Sequence, residues 1–195
     1  MDNALAEFAR QGYGASSVNA VCSAQGISKG IIYHYFKTKD ALYLACVEEC
    51  FGRLTEYLRA NSPVTGTTES QLEGYFSARM DFFREYPNEA RIFFEALLNP
   101  QPHLRAEIKQ AMQELEERNE RVYRNAIQSI TLRDGVTMED ALLYFRQMQT
   151  MFNGYFSSPA YHNTDLDEKV KIHEASIPKL FDFMLYGIAK GDPAK

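Results

Sequence analysis

The sequence predicts an all-α chain of about nine helices. A three-helix head built on a helix-turn-helix comes first, and a helical body follows. Three observations carry this. Proline and glycine mark off segments of helical length along all 195 residues. Apolar residues within the segments recur at three- and four-residue steps. No long alternating pattern of the kind a strand needs appears.

The first helix is read over roughly Asn3 to Gln11, with Leu5, Phe8 and Ala9 inward. Residues 16–25 give a short second helix whose apolar stripe is Val18, Val21 and Cys22. Ser17 is placed to cap it. Gly26 ends it where a positive φ is wanted. Ser28 is a natural N-cap for a third helix, on which Ile32 and Phe36 share one face. The fourth helix starts near Lys39 and runs to about Ala60, stopped by Asn61-Ser62-Pro63. The fifth covers about Glu69 to Tyr86, and the sixth covers Glu89 to Leu98. The seventh extends from near His103 to Ile130, before a turn at Arg133-Asp134-Gly135. The eighth spans about Met138 to Phe156. The ninth spans about Asp167 to Ala189, with a kink expected at Pro178. The domain reading is a head over residues 1–45 and a body over residues 46–195.

The chemistry concentrates in the run Gly26-Ile27-Ser28-Lys29-Gly30-Ile31-Ile32-Tyr33-His34-Tyr35-Phe36-Lys37-Thr38-Lys39. It mixes cations with aromatics and holds no acid, which suits a phosphate backbone and base edges. Lys29 and Tyr33 are four apart, on a face the core does not need. A Tyr tip can donate to a phosphate oxygen. Lys39 sits at a helix start, where a cation opposes the macrodipole and a phosphate would relieve it. Tyr33, His34 and Tyr35 are candidate phosphate contacts, or simply surface side chains. Two readings are open for Ile31: contact with a thymine methyl, or burial beside Ile32.

The formal net charge of -5 looks wrong for a nucleic-acid binder until it is divided. Residues 1–45 carry +1 and the rest carries -6, with no acid between Glu7 and Asp40. A cationic patch on an acidic body favours local contact over non-specific adhesion.

Residues 5–45 resemble the DNA-binding region of the tetracycline-repressor (TetR) family of transcriptional regulators. The matching residues are Phe8, Gly12-Tyr13, Ser16-Ser17, Val21-Cys22, Ala24, Gly26-Ile27-Ser28, Gly30, Tyr33, Tyr35-Phe36, Lys39 and Leu42. The chain departs from the family pattern in two places. It opens Met1-Asp2-Asn3-Ala4-Leu5, without the basic arm found ahead of the family's first helix, and Cys22 stands in for an alanine. The resemblance implies a regulator of transcription, a ligand-responsive repressor binding a palindromic operator in double-stranded DNA as a homodimer. It implies base-facing roles for Lys29 and Gly30 and a phosphate contact for the Ser17 hydroxyl. The other reading is a helical protein-interaction module that has lost effective DNA binding, supported only by the missing arm.

A lone helix-turn-helix reads few bases, and two-fold symmetry is the remedy. The stripes on helices eight and nine are the candidate dimer surface, which the resemblance also implies. Phe145, Met148 and Phe152 represent the first; Ile177, Phe181 and Met184 represent the second. The same stripes could instead face their own core. The aromatic-rich stretch from Phe82 to Leu98 is the best pocket material, since the resemblance implies an effector cavity among helices five to seven. Phe83, Tyr86, Phe93, Leu97, Met112, Met151 and Tyr155 are the candidates for a small, largely apolar effector, against plain core packing.

Other classes find little support. No nucleophile elbow, Walker-type loop or zincin motif appears, so no enzyme and no cofactor are expected. His103, His162 and His173 are scattered and read as ordinary histidines. Cys22, Cys46 and Cys50 are odd in number and lack partners for a zinc set, although the i,i+4 pair Cys46 and Cys50 leaves a redox role open. No apolar run approaches the roughly 20 residues that span a membrane, so no membrane partner is expected. No leader opens the chain, and a cytoplasmic location is expected.

Overall fold

The computed structural model describes residues 1–161 and 163–188. His162 and Ala189, both named in the sequence reading, lie outside them. Among the described residues the α-helices are α1 (Asp2–Ala15), α2 (Val18–Gln25), α3 (Lys29–Phe36), α4 (Lys39–Asn61), α5 (Thr68–Glu85), α6 (Pro87–Leu98), α7 (Arg105–Gln128), α8 (Met138–Phe156) and α9 (Leu166–Ile188). The fold is all-α, as the sequence predicts.

Helix ends follow local chemistry. Gly26 adopts φ 64° and ψ 27°, and its N–H closes back on the last turn of α2. The Thr38 hydroxyl accepts the Ala41 N–H and caps α4. Thr137 and Asp140 form a reciprocal capping box on α8. Pro87 opens α6 rather than merely ending α5, because a first-turn proline lacks only an N–H that would go unpaired. α9 continues through Pro178. α1 reaches four residues past its expected end, across a break at Gly12 with φ 70° and ψ 166°.

Ser17 and Ser28 occupy the N-cap positions of α2 and α3, but neither side chain makes the capping bond. This corrects the capping expectation. The Ser17 N–H donates to Glu7 Oε1 at 3.1 Å, so the turn before α2 is tied down by a carboxylate on α1.

α4 is the central strut. Its residues Leu42, Tyr43, Cys46, Val47, Cys50, Phe51, Leu54 and Leu58 are all buried. It packs against α1, α5, α6 and α7, so one helix runs from the head through the core of the body. Burial pushes the Cys46 thiol up to about 12 and raises Cys50 as well, so both remain thiols rather than reactive thiolates.

The head is also fastened to α6. The Tyr13 N–H donates to Glu95 Oε1 at 2.8 Å, and Arg91 Nε donates to the Ala9 carbonyl at 2.9 Å. Arg53 on α4 reaches Glu89 at 2.7 Å.

A second aromatic core lies at the far end of the body. Tyr123 and Phe145 stack with centroids 3.9 Å apart, and Phe181 meets both edge-on.

Candidate nucleic-acid interface and internal cavity

α3 presents its cations and rings outward. Ile32 is buried and anchors the helix, while Lys29, Gly30, His34 and Tyr35 are exposed. Ile31 is 47% exposed, which decides between its two readings: it faces out. Tyr35 is 74% exposed with His34 edge-on at 5.2 Å. Lys29 Nζ lies 5.4 Å from the half-buried Tyr33 ring, a cation–π contact that holds both on one face. Ser28 is exposed at the start of the helix, with its hydroxyl unused by the cap.

Lys39 differs from its expected role as a free cation. Its ammonium donates to the Ser16 carbonyl at 2.8 Å and the Gly14 carbonyl at 3.3 Å, and lies 4.7 Å over the Tyr13 ring. It pins the α1–α2 turn to the start of α4. Asp40 accepts from the Tyr13 hydroxyl and lies 3.4 Å from His103 Nε2. Burial and the Asp40 bond push the Tyr13 phenol up to about 12. The outer face of α3, from Lys29 to Tyr35, carries no carboxylate of its own. Sequence reasoning missed Glu7. Burial works against its charge, but the Arg10 hydrogen bond at 2.6 Å and the Ser17 N–H hold its carboxyl below the usual range.

In the body, a cavity of about 390 Å³ opens among α5 to α9. Phe93, Leu97 and Met112 line it, as expected of a pocket. Phe83 and Tyr86 do not. Phe83 is buried behind Phe93, ring to ring at 5.0 Å, and Tyr86 packs on Tyr57 and Phe82 at the α5–α6 junction. Met151 and Tyr155 are 68% and 56% exposed on the outer side of α8, which corrects their assignment to the pocket.

The dimer candidates divide the other way. Phe145, Phe181 and Met184 are buried in the second core, and Phe145, Phe152, Ile177 and Phe181 line the cavity. Of the six, Met148 is the exposed one. Tyr144, Met148, Met151 and Tyr155 follow steps of four, three and four residues, so they make one outward stripe along α8. Phe183 on α9 is 75% exposed.

One wall of the cavity is polar. Arg79 on α5 donates from Nε and Nη2 to the two carboxylate oxygens of Glu174 on α9, at 2.9 and 3.0 Å. Both side chains are buried, and the guanidinium lies 5.0 Å from the Phe83 and Phe93 rings. His173 Nδ1 lies 3.0 Å from Glu174 Oε1, and its Nε2 lies 2.9 Å from the Asn153 amide. A neutral imidazole donates to Glu174 and accepts from Asn153 once that amide is turned, which moves no heavy-atom position. The wall thus offers hydrogen-bonding groups without net charge.

No helix among the described residues is long and apolar enough to cross a membrane, and none of their His, Cys, Asp and Glu side chains cluster as a metal site would.

Two family models match the chain. The first, described as bacterial regulatory proteins of the tetR family, matches residues 1–46. The second, the tetracyclin repressor-like C-terminal domain, matches residues 67–185. The nucleoid occlusion factor SlmA of Actinobacillus pleuropneumoniae is 30% identical over 121 residues, 62% of this chain and 58% of that protein. The transcriptional activator FasR of Mycolicibacterium smegmatis is 27% identical over 104 residues, 53% of this chain and 48% of that protein. These matches span less than two thirds of either curated relative. Among solved structures, the fatty acid degradation regulator FadR of Bacillus halodurans superposes with a TM-score of 0.68 at 15% identity, covering 96% of each chain. FadR of Bacillus subtilis, solved with stearoyl-CoA, gives 0.66 at 20% identity and again covers 96% of each. These likenesses establish the shared fold.

Proposed function

The chain belongs to the TetR family of bacterial regulatory proteins, and on that premise we propose that it is a ligand-responsive regulator of transcription. It binds a palindromic operator in double-stranded DNA as a homodimer and acts as a repressor in the cytoplasm. The observation that carries this reading is the outer face of α3. Lys29, Ile31, His34 and Tyr35 stand exposed together on a helix anchored by Ile32, with no acid among them.

In the proposed complex α3 enters the major groove by its N-terminal end. Lys29 donates to a base edge, the missing side chain at Gly30 lets the backbone approach, and Ile31 meets a thymine methyl. Ser17, Ser28, Tyr33, His34 and Tyr35 contact phosphates and fix the register. Lys39 acts mainly from within, by holding the α1–α2 turn that carries Ser17.

The homodimer forms through the stripe of Tyr144, Met148, Met151 and Tyr155 with Phe183, a set of exposed apolar side chains that a second copy would cover. The effector occupies the cavity among α5 to α9. Its aromatic floor and charge-neutral Arg79–Glu174 wall favour a small, largely apolar molecule with a hydrogen-bonding group directed at Asn153 and His173, while Lys109, Arg146 and three glutamates of α7 complete the lining. α7 borders that cavity and packs on α4, so a ligand that shifts α7 biases the two heads toward or away from operator spacing.

The test is selection of genomic fragments by the purified protein. The expected result is an enriched palindrome bound with a steep salt dependence. Recovery of no enriched palindrome would favour the protein-interaction module instead. An effector found by thermal shift should weaken or strengthen operator binding by the same factor as operator changes its own affinity.

A further inference from the structure

A second cleft, of about 250 Å³, lies at the far end of α4, where the 62–67 loop passes between α5 and α7. Its wall contains Arg118 and Arg121 and no carboxylate. The nearby acids of α7 are engaged elsewhere: Glu114 with Arg59, Glu117 with Gln113, and Glu120 with Arg124 and Arg146. Neither Arg118 nor Arg121 forms an ion pair among the described residues.

Two polar atoms in the wall are orphaned. Arg118 Nη2 donates to the Leu58 carbonyl at 2.7 Å, but its Nε is buried without a partner. Ser62 Oγ is likewise buried and unpartnered. Buried groups of this kind are uncommon in a folded protein, and here two of them border one cleft. Burial and the neighbouring charges of Arg121 and Arg59 depress the Arg118 guanidinium, with the Tyr75 phenol opposing them. Two guanidinium groups thus line the cleft with no carboxylate in its wall.

The rest of the lining is partly apolar. Leu72, Val122 and Pro63 face the same space. The loop lies directly on α5, since a Cβ added to Gly74 would come within 2.4 Å of the Pro63 ring. A guanidinium pair beside apolar side chains matches one ligand chemistry: an anionic head, carboxylate or phosphate ester, on a short apolar body.

We infer that this cleft is a second ligand site, separate from the cavity among α5 to α9, and that it takes a small organic anion held by Arg118 and Arg121. Tyr75 lines both spaces, and Arg118 closes the last turn of α4 through Leu58. An occupant would thus touch the end of the helix whose other end carries the head.

The experiment is calorimetric titration of the full chain with phenylacetate, phenyl phosphate and neutral benzyl alcohol. Arg121→Ala is the test variant, because Arg121 is exposed and its loss leaves the fold intact. Lys109→Ala, at the larger cavity, is the control. Saturable binding of at least one anion is expected, and the ratio of their affinities tells carboxylate from phosphate. Arg121→Ala should weaken it about tenfold or more, the worth of a hydrogen bond to a charged group, while Lys109→Ala leaves it unchanged. The inference is overturned if neither anion saturates, if benzyl alcohol binds as well, or if Lys109→Ala rather than Arg121→Ala removes binding. None of these results bears on DNA binding.

Discussion

Arg79 and Glu174 are joined through two parallel hydrogen bonds, Nε to Oε2 at 2.9 Å and Nη2 to Oε1 at 3.0 Å, with both side chains buried. The pair ties α5 to α9 across the cavity wall. Removing one partner strands the other as an uncompensated charge. Arg79→Met or Glu174→Gln alone should cost about 3–5 kcal/mol in urea unfolding, whereas Arg79→Met with Glu174→Leu should cost much less. Equal losses in the single and double variants would contradict the pairing.

The same cluster sets a pH dependence. Burial holds the His173 imidazole below its ordinary 6.5, despite the bond to Glu174. The unfolded chain therefore takes a proton that the folded one resists, and stability falls as pH drops below 6.5. Burial favours neutral Glu174, but Arg79 and the bond from His173 outweigh it and hold its carboxyl below 4.5. Its contribution is present above 4.5 and is lost as pH falls further. Melting temperature should decline from pH 7 to below pH 4 in two limbs, the first below 6.5 and the second below 4.5. His173→Gln should abolish the upper limb and leave the lower.

The recognition surface predicts a division of labour. Lys29→Ala should relax preference at one base position by about 1–3 kcal/mol, and Tyr33→Phe should weaken all sequences alike. Lys39→Ala should both weaken all sequences and lower the melting temperature, because its ammonium holds Gly14 and Ser16. Electrophoretic shifts on a library of operator variants, beside thermal melts, separate the three.

Charged residues on the outer stripe of α8 and in the second aromatic core should act differently. Met151→Glu with Tyr155→Glu should give a folded monomer, since both side chains are exposed. Phe181→Glu should instead unfold the body, because Phe181 packs on Phe76, Tyr123 and Phe145. Sedimentation with circular dichroism distinguishes dissociation from unfolding.

Approximate helix boundaries were legible where local chemistry marks them: Gly26 needs a positive φ, and Pro63 stops α4, whereas Pro87, read as the end of α5, opens α6. Facing was not. α8 is apolar on two sides, with Phe145, Phe152 and Phe156 on one and Tyr144, Met148, Met151 and Tyr155 on the other. Periodicity finds both stripes but cannot say which meets the core, so Phe145 and Met151 exchanged roles. The Arg79–Glu174 bridge spans 95 residues of sequence and leaves no local trace. Lys39 looked like a free cation because its partners are backbone carbonyls, which any sequence supplies.

The fastening of α1 to α6 bears on whether the head can be transplanted. A cut between residues 45 and 46 severs α4 near its start and strips Glu95 from the Tyr13 N–H and Arg91 from the Ala9 carbonyl. Leu5, Phe8 and Tyr43, which share one core with Ile92 and Phe93, would lose their cover. Because α4 also packs on α7, whose Ile108 and Leu115 share that core, a chimera grafted at residue 45 would carry α3 on a scaffold unable to hold it.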